Sequence, residues 1–175
     1  HTKHATISET GLNSVMDTIA VGTFWISSIL ILPFWGLMWF MPKHEFTKKY
    51  VGDIRWSIFP LLIPYTLLAL PNAPDVLFTF LTQMPTPELV VELFQDEEVI
   101  ALAWLHMLAF DLFVGRYVWL RMLAADRPMY VSTPILVLCT MMSPLGFLLG
   151  LLATWQQRDL GDINFEDHSV TSTEV

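Results

Sequence analysis

The 175-residue chain has one cysteine, Cys139, so no internal disulfide can form. Its cations are few, 9 lysines and arginines against 17 aspartates and glutamates, and none lies between Val76 and Leu112. The net charge of −8 sits in the connections and the C-terminal tail, which argues against nucleic acid as a partner. Missing too are a redox cofactor motif, a cluster of metal ligands and a nucleophile beside a base. These absences remove the usual oxidoreductase, metalloenzyme and hydrolase designs. Charge is also absent from the whole run Ile19 to Phe40. Such a run excludes a soluble core and is long enough to cross a bilayer.

What the chain does have is apolar surface. More than half of it is hydrophobic, in long runs separated by charged joints. This pattern predicts an all-α integral membrane protein of one domain, with four transmembrane helices and a short interfacial helix between the second and third. The expected spans are about 17–41, 54–70, 97–123 and 134–157, followed by an acidic polar tail, 158–175, of no regular structure. Because residue 1 is a histidine and not a methionine, the chain is expected to have been processed, which either a removed targeting peptide or a tag remnant would explain.

Each span carries its own signals. Pro33 should kink the first, with Ser27 and Ser28 satisfying nearby backbone groups, and Trp35, Trp39 and Phe40 should form an aromatic belt at its end. The second holds Pro60, Pro64 and Tyr65, is expected to stop at Pro71-Asn72-Ala73-Pro74-Asp75, and reads as the kinked wall of a cavity. Thr86 as cap with Pro87 in the first turn predicts a short helix to about Gln95, with Glu88 and Glu92 on a wet face. Asp96 should cap the third span, with Glu97 and Glu98 in its first turn. The fourth should begin at Thr133-Pro134, kink at Pro144 and offer Gly146 and Gly150 for a close helix contact. The first and third connections are basic and the second is acidic. Basic joints stay on the side of synthesis, so both termini are expected on the opposite side.

The third span poses the functional question. Its stretch from Trp104 to Tyr117 is apolar, yet it carries His106, Asp111 and Arg116. Each such group costs about 2.5–3.5 kcal/mol at a helix centre on insertion scales, so it is expected to be paired or bound and to face the interior. Five-residue steps each turn about 140° on a regular helix, which points Asp111 away from both His106 and Arg116. Asp111 should therefore find partners on another helix, with Gly115 on its face admitting a neighbour. One reading is a hydrogen-bond network that fixes the bundle; the other is a pigment or substrate site.

The segments Trp104-Leu105-His106 and Leu108-Ala109-Phe110-Asp111-Leu112-Phe113-Val114-Gly115-Arg116 resemble the signature of the abscisic-acid-deficient-four-like family of plastid and cyanobacterial membrane proteins. In the fourth span, Ser143-Pro144-Leu145-Gly146-Phe147-Leu148-Leu149 resembles the family's Phe-Gly-Pro-x-Gly-Leu-Leu segment, with Met142 and Ser143 in place of Phe-Gly. The resemblance covers roughly the second half of the chain. It implies a thylakoid or plastid-envelope location and a connection to neoxanthin formation, a xanthophyll step in which an epoxide rearranges to an allene.

Two functions are compatible with it. In the first, the protein is a pigment-binding or structural accessory subunit of a photosystem–antenna complex in the thylakoid membrane, with basic joints stromal and both termini lumenal. Its partners would be other subunits of that photosynthetic complex, thylakoid lipids and carotenoids. His106 would ligate a chlorophyll magnesium or hydrogen-bond a pigment, and Trp104, Phe110, Phe113 and Tyr117 would contact chlorophyll or carotenoid, with Trp119 against pigment or a neighbouring helix. In the second, it is a xanthophyll-converting enzyme, or a factor that presents substrate to one. Its cavity would be lined by the second, third and fourth spans, with His106 and Asp111 as acid and base and Arg116 stabilising developing negative charge. A transporter is disfavoured by the lack of an internal repeat.

Overall fold

The computed structural model describes residues 2–82, 84, 86–95 and 97–156, with side chains described except at 2–17, 72, 80 and 97. Among these residues all regular structure is helical: α1 Thr2–Phe40, α2 Glu45–Tyr50, α3 Ile54–Ser57, α4 Phe59–Thr82, α5 Pro87–Leu93, α6 Glu97–Ala124, α7 Met129–Met141 and α8 Ser143–Ala153. Two stretches, Thr18–Phe40 and Glu98–Ala124, are long and apolar enough to cross a membrane. A third qualifies if Phe59–Pro71 and Ala73–Thr79, bent by 65°, form one span.

Several expectations change. The first helix runs back to Thr2, with its apolar span starting at Thr18 instead of Asp17. The Pro71–Asp75 segment does not stop the second span; the chain bends and α4 continues to Thr82. Pro74 falls in the opening turn of the piece beyond the bend, where a missing N–H costs little. The segment expected to be a fourth span is two helices of 13 and 11 residues, α7 starting a turn early at Met129 and the break falling at Met142 (φ −143°, ψ 74°). Neither alone is the length of a span. Pro144 sits in the first turn of α8, so the chain breaks ahead of it and does not kink at it. The Asp96 cap, the end of the fourth span at Gln157 and the tail 158–175 lie outside the described residues. The Thr86 expectation holds: its hydroxyl accepts the Leu89 N–H at 3.3 Å, and Glu88 and Glu92 are exposed.

The chain groups into two compact units. The first comprises residues 1–33 and 54–110, the second 34–53 and 111–175. In unit 1, Ala20 of α1, Leu68 of α4 and Ala101 of α6 form a buried cluster with Leu102 against it. Two alanines at the contact let the helix backbones approach closely. Ser28 donates back to the Phe24 carbonyl at 2.7 Å, whereas the Ser27 hydroxyl is buried with no partner among the described residues, so this pair does not serve the carbonyl freed by Pro33.

Unit 2 packs the end of α1, the second half of α6, α7 and α8. Trp35 is buried and not part of a boundary belt: it lies over Gly115, where an added Cβ would come within 2.2 Å of its ring. Gly146 likewise admits the Cys139 backbone of α7, at 2.4 Å from such a Cβ, and Gly150 admits Val118 of α6. The Trp119 indole donates to the Pro42 carbonyl at 3.0 Å, Thr133 donates to the Trp39 carbonyl at 3.1 Å, and Lys43 pairs with Asp126 at 2.5 Å. The α1–α2 and α6–α7 connections, both basic, thus meet at one end of this unit.

Candidate functional site

α6 buries Ala101, Leu105, Ala109, Leu112, Trp119 and Met122 at helical spacing, and its polar residues differ in the neighbours they meet. The three candidate residues are divided between the units: His106 belongs to unit 1, Asp111 and Arg116 to unit 2.

In unit 2 the polar groups of α6 meet protein. Arg116 donates from Nε to the Val51 carbonyl at 2.8 Å and from Nη2 to the Gly52 carbonyl, with Asp53 adding a favourable charge. Those carbonyls end the α2 turn, and the guanidinium fork suits two of them at once. Arg121, 5% exposed, donates from Nε to the Thr154 hydroxyl at 3.0 Å and from Nη2 to the Thr154 carbonyl at 3.1 Å. It also reaches the Tyr117 hydroxyl at 3.3 Å, and Tyr117 in turn tilts against Phe147, centroids 5.8 Å apart. Thr154 is the C-cap of α8, so Arg121 places a cation where that helix's dipole favours one. Asp111 is half-buried, with Ser143 of α8 and Cys139 of α7 close enough to interact electrostatically. The Ser143 hydroxyl is buried and completes no hydrogen bond among the described residues. Asp111 therefore does find its neighbours on other helices.

In unit 1 the situation differs. Trp104 stacks on Phe24, centroids 5.3 Å apart at 29°, and donates to the Ser28 hydroxyl at 3.0 Å. The His106 imidazole stacks on Phe110 one turn later, at 4.6 Å and 26°, with the Tyr65 ring of α4 at 6.0 Å. Leu62, Tyr65, His106, Ala109 and Phe110 line an apolar cleft of about 100 Å³. His106 is exposed and has no hydrogen-bond partner among the described residues, and neither has the Tyr65 hydroxyl. The expectation that costly polar groups are paired and face inward holds for Arg116, half-buried and hydrogen-bonded, and fails for His106, which lies beside the buried line Ala101, Leu105 and Ala109 and not on it. Phe113 is also exposed, 46%, and makes no ring contact among the described residues.

The geometry thus brings His106, Phe110 and Tyr65 together, commits Arg116 and Tyr117 to protein contacts, and sets Asp111 beside a serine. Reading the sequence placed Tyr65 on a cavity wall but gave no sign that it sits beside His106. The burial of Arg121 depends on Thr154 of α8, which no local sequence pattern reports.

Residues 22–149 match the family described as ABA4-like, ABA DEFICIENT 4-like, and this range contains every residue of the cleft. Over 105 residues, 58% of the chain, it is 35% identical to a protein of Arabidopsis thaliana called Protein ABA DEFICIENT 4, chloroplastic. The aligned part is 47% of that relative, so the chain spans about half the length of the curated relative it matches. No solved structure matches.

Proposed function

Because the chain belongs to the ABA DEFICIENT 4-like family, we propose that it is a pigment-binding, structural accessory subunit of a photosystem–antenna complex in the plastid thylakoid membrane. The family's connection to neoxanthin and the chloroplast relative support the plastid setting. One observation carries the reading: an exposed histidine at membrane depth, stacked on an aromatic ring, with no protein partner for its nitrogens among the described residues. A bare imidazole in hydrocarbon is costly, and a bound group that accepts its nitrogen removes that cost.

The cleft, about 100 Å³, would receive only the polar end of a pigment, the rest lying on the exposed face of the helices. An imidazole nitrogen suits a chlorophyll magnesium or a xanthophyll hydroxyl, the Tyr65 hydroxyl offers a second polar contact, and Phe110 supplies a flat apolar wall. When bound, the pigment supplies the light absorption; the chain's residues hold and orient it. Phe113 would extend the contact surface. The membrane topology in this reading has α7 and α8 together as a fourth, broken span, with α5 at the interface. The Lys43–Asp126 contact supports placing both basic connections on one side, the stroma, and the termini in the lumen.

The test is purification of the full chain from native membranes with its bound pigments. Chlorophyll or carotenoid retained at fixed stoichiometry by the wild type, and lost in His106→Leu, is the expected result. A pigment-free wild-type chain overturns it.

A second reading, the xanthophyll-converting enzyme, is favoured by the half-buried Asp111 beside the buried Ser143 hydroxyl. There Asp111 would protonate an epoxide oxygen; His106, the other candidate, belongs to unit 1. Arg116 would have to leave its two carbonyls to act. Unaltered xanthophyll ratios in membranes carrying Asp111→Asn would end this reading.

A further inference from the structure

The acidic connection between α4 and α6, all of it in unit 1, carries an uncovered apolar face. Beyond the 65° bend, α4 runs on as a limb from Ala73 to Thr82, and α5 follows from Pro87 to Leu93. At about 100° per residue, Asp75, Thr79 and Thr82 share one side of the limb, and Leu77, Phe78 and Leu81 share another. In α5 the same division recurs, with Glu88 and Glu92 on one side and Val90, Val91 and the C-cap Phe94 on another. These apolar side chains are exposed, Leu81 at 84%, as is Met84 in the connection at 87%.

Two features say what covers this face. The first is its place. The limb begins where the apolar piece Phe59–Pro71 ends, and the membrane-crossing stretch of α6 begins at Glu98, so the connection leaves and re-enters at one boundary. With Phe59–Pro71 near the membrane normal, the bend leaves the limb about 25° (90° − 65°) from the membrane plane. The second feature is charge. No lysine or arginine occurs from Trp56 to Gly115, while Asp75, Glu88 and Glu92 are exposed. Helices that lie on anionic membranes hold them through cations on the wet side, and this segment has none to offer.

We propose that the α4 limb and α5 dock on the lipid surface itself, and that they select net-uncharged headgroups over anionic ones. Leu77, Phe78, Leu81, Val91 and Phe94 enter the boundary between headgroups and acyl chains, where burial of apolar area supplies the binding. Asp75, Glu88 and Glu92 stay wet, and each meets a roughly fivefold penalty at an anionic surface. This extends the placing of α5 at the interface and does not depend on pigment.

The test uses the full chain in vesicles with a nitroxide on Leu81→Cys, the native Cys139 being buried. Collisions with oxygen and with a water-soluble nickel chelate report its depth. In phosphatidylcholine the label should sit about 5–10 Å below the headgroup level. With half the lipid replaced by phosphatidylglycerol it should move out toward water, and about 1 M KCl, which screens beyond about 3 Å, should bring it back. Glu88→Gln with Glu92→Gln should keep it deeper in the mixed vesicles. A label on Leu67→Cys, exposed within Phe59–Pro71, should hold one depth in both lipids. A Leu81 label in water on phosphatidylcholine overturns the proposal and makes a protein the cover. Equal depth in both lipids, or equal movement of the Leu67 label, overturns the headgroup selection. None of these readouts moves with bound pigment, so failure here is distinct from failure of the pigment site.

Discussion

The two units treat polar residues on one helix in opposite ways. Where α6 belongs to unit 2, Arg116 holds the Val51 and Gly52 carbonyls and Arg121 holds Thr154 and Tyr117. Where it belongs to unit 1, His106 has aromatic rings around it and nothing to accept or donate a hydrogen bond among the described residues. Both environments are apolar, so both arrangements start from a similar cost. In unit 2 that cost is offset inside the protein, and the arginines serve to fix helix ends. In unit 1 it is left standing, and on that the proposed pigment site rests. Polar residues in a membrane helix therefore divide by what answers them and not by how polar they are.

This contrast is easiest to break from the unit 2 side. Arg121→Ala should have the largest effect, about 3 kcal/mol of stability, since it strips partners from Thr154 and Tyr117 and removes a buried stem. Thermal unfolding in detergent would read it; an unchanged transition would mean that the Arg121 contacts do not hold α8. Gly115→Val should cost about 2 kcal/mol by pressing on the buried Trp35 ring, and the same measurement applies. A milder loss would show that α1 can give way there. The smallest effect concerns the exposed Lys43–Asp126 pair. The hydrogen bond from Lys43 holds the Asp126 carboxyl below its ordinary value of 3.8, so the pair's contribution is fully present above that value and fades as pH falls through the lower folded one. Unfolding followed below pH 4 should therefore show a slightly smaller acid loss in Lys43→Gln than in the wild type.

The sequence was informative where the controlling physics is local. Thr86-Pro87 announces its helix because the cap and the first turn lie within four residues. Gly115 could be paired with Asp111 as one helix face, and a neighbour, Trp35, does lie on it. The proline pair misled because the same residues that end a helix also open the next, and only packing decides whether the axis merely bends. The Met142 break was hidden for a related reason: Pro144 signals a disruption but not on which side it falls. Among candidate site residues, His106 and Phe110 could be found because a histidine in an apolar run stands out. Tyr65 could not be, since it depends on α4 passing His106.

The most direct measurement compares His106→Leu with Arg116→Gln, each scored for bound pigment and for unfolding temperature. His106→Leu should lose chlorophyll or carotenoid while a pigment-free preparation unfolds at the wild-type temperature. Arg116→Gln should unfold earlier, by about 2 kcal/mol for two charge-assisted hydrogen bonds to carbonyls, and keep its pigment when folded. The account is contradicted if His106→Leu keeps its pigment, or if it destabilises the pigment-free chain as Arg116→Gln does, because His106 would then be one more residue that the fold itself requires.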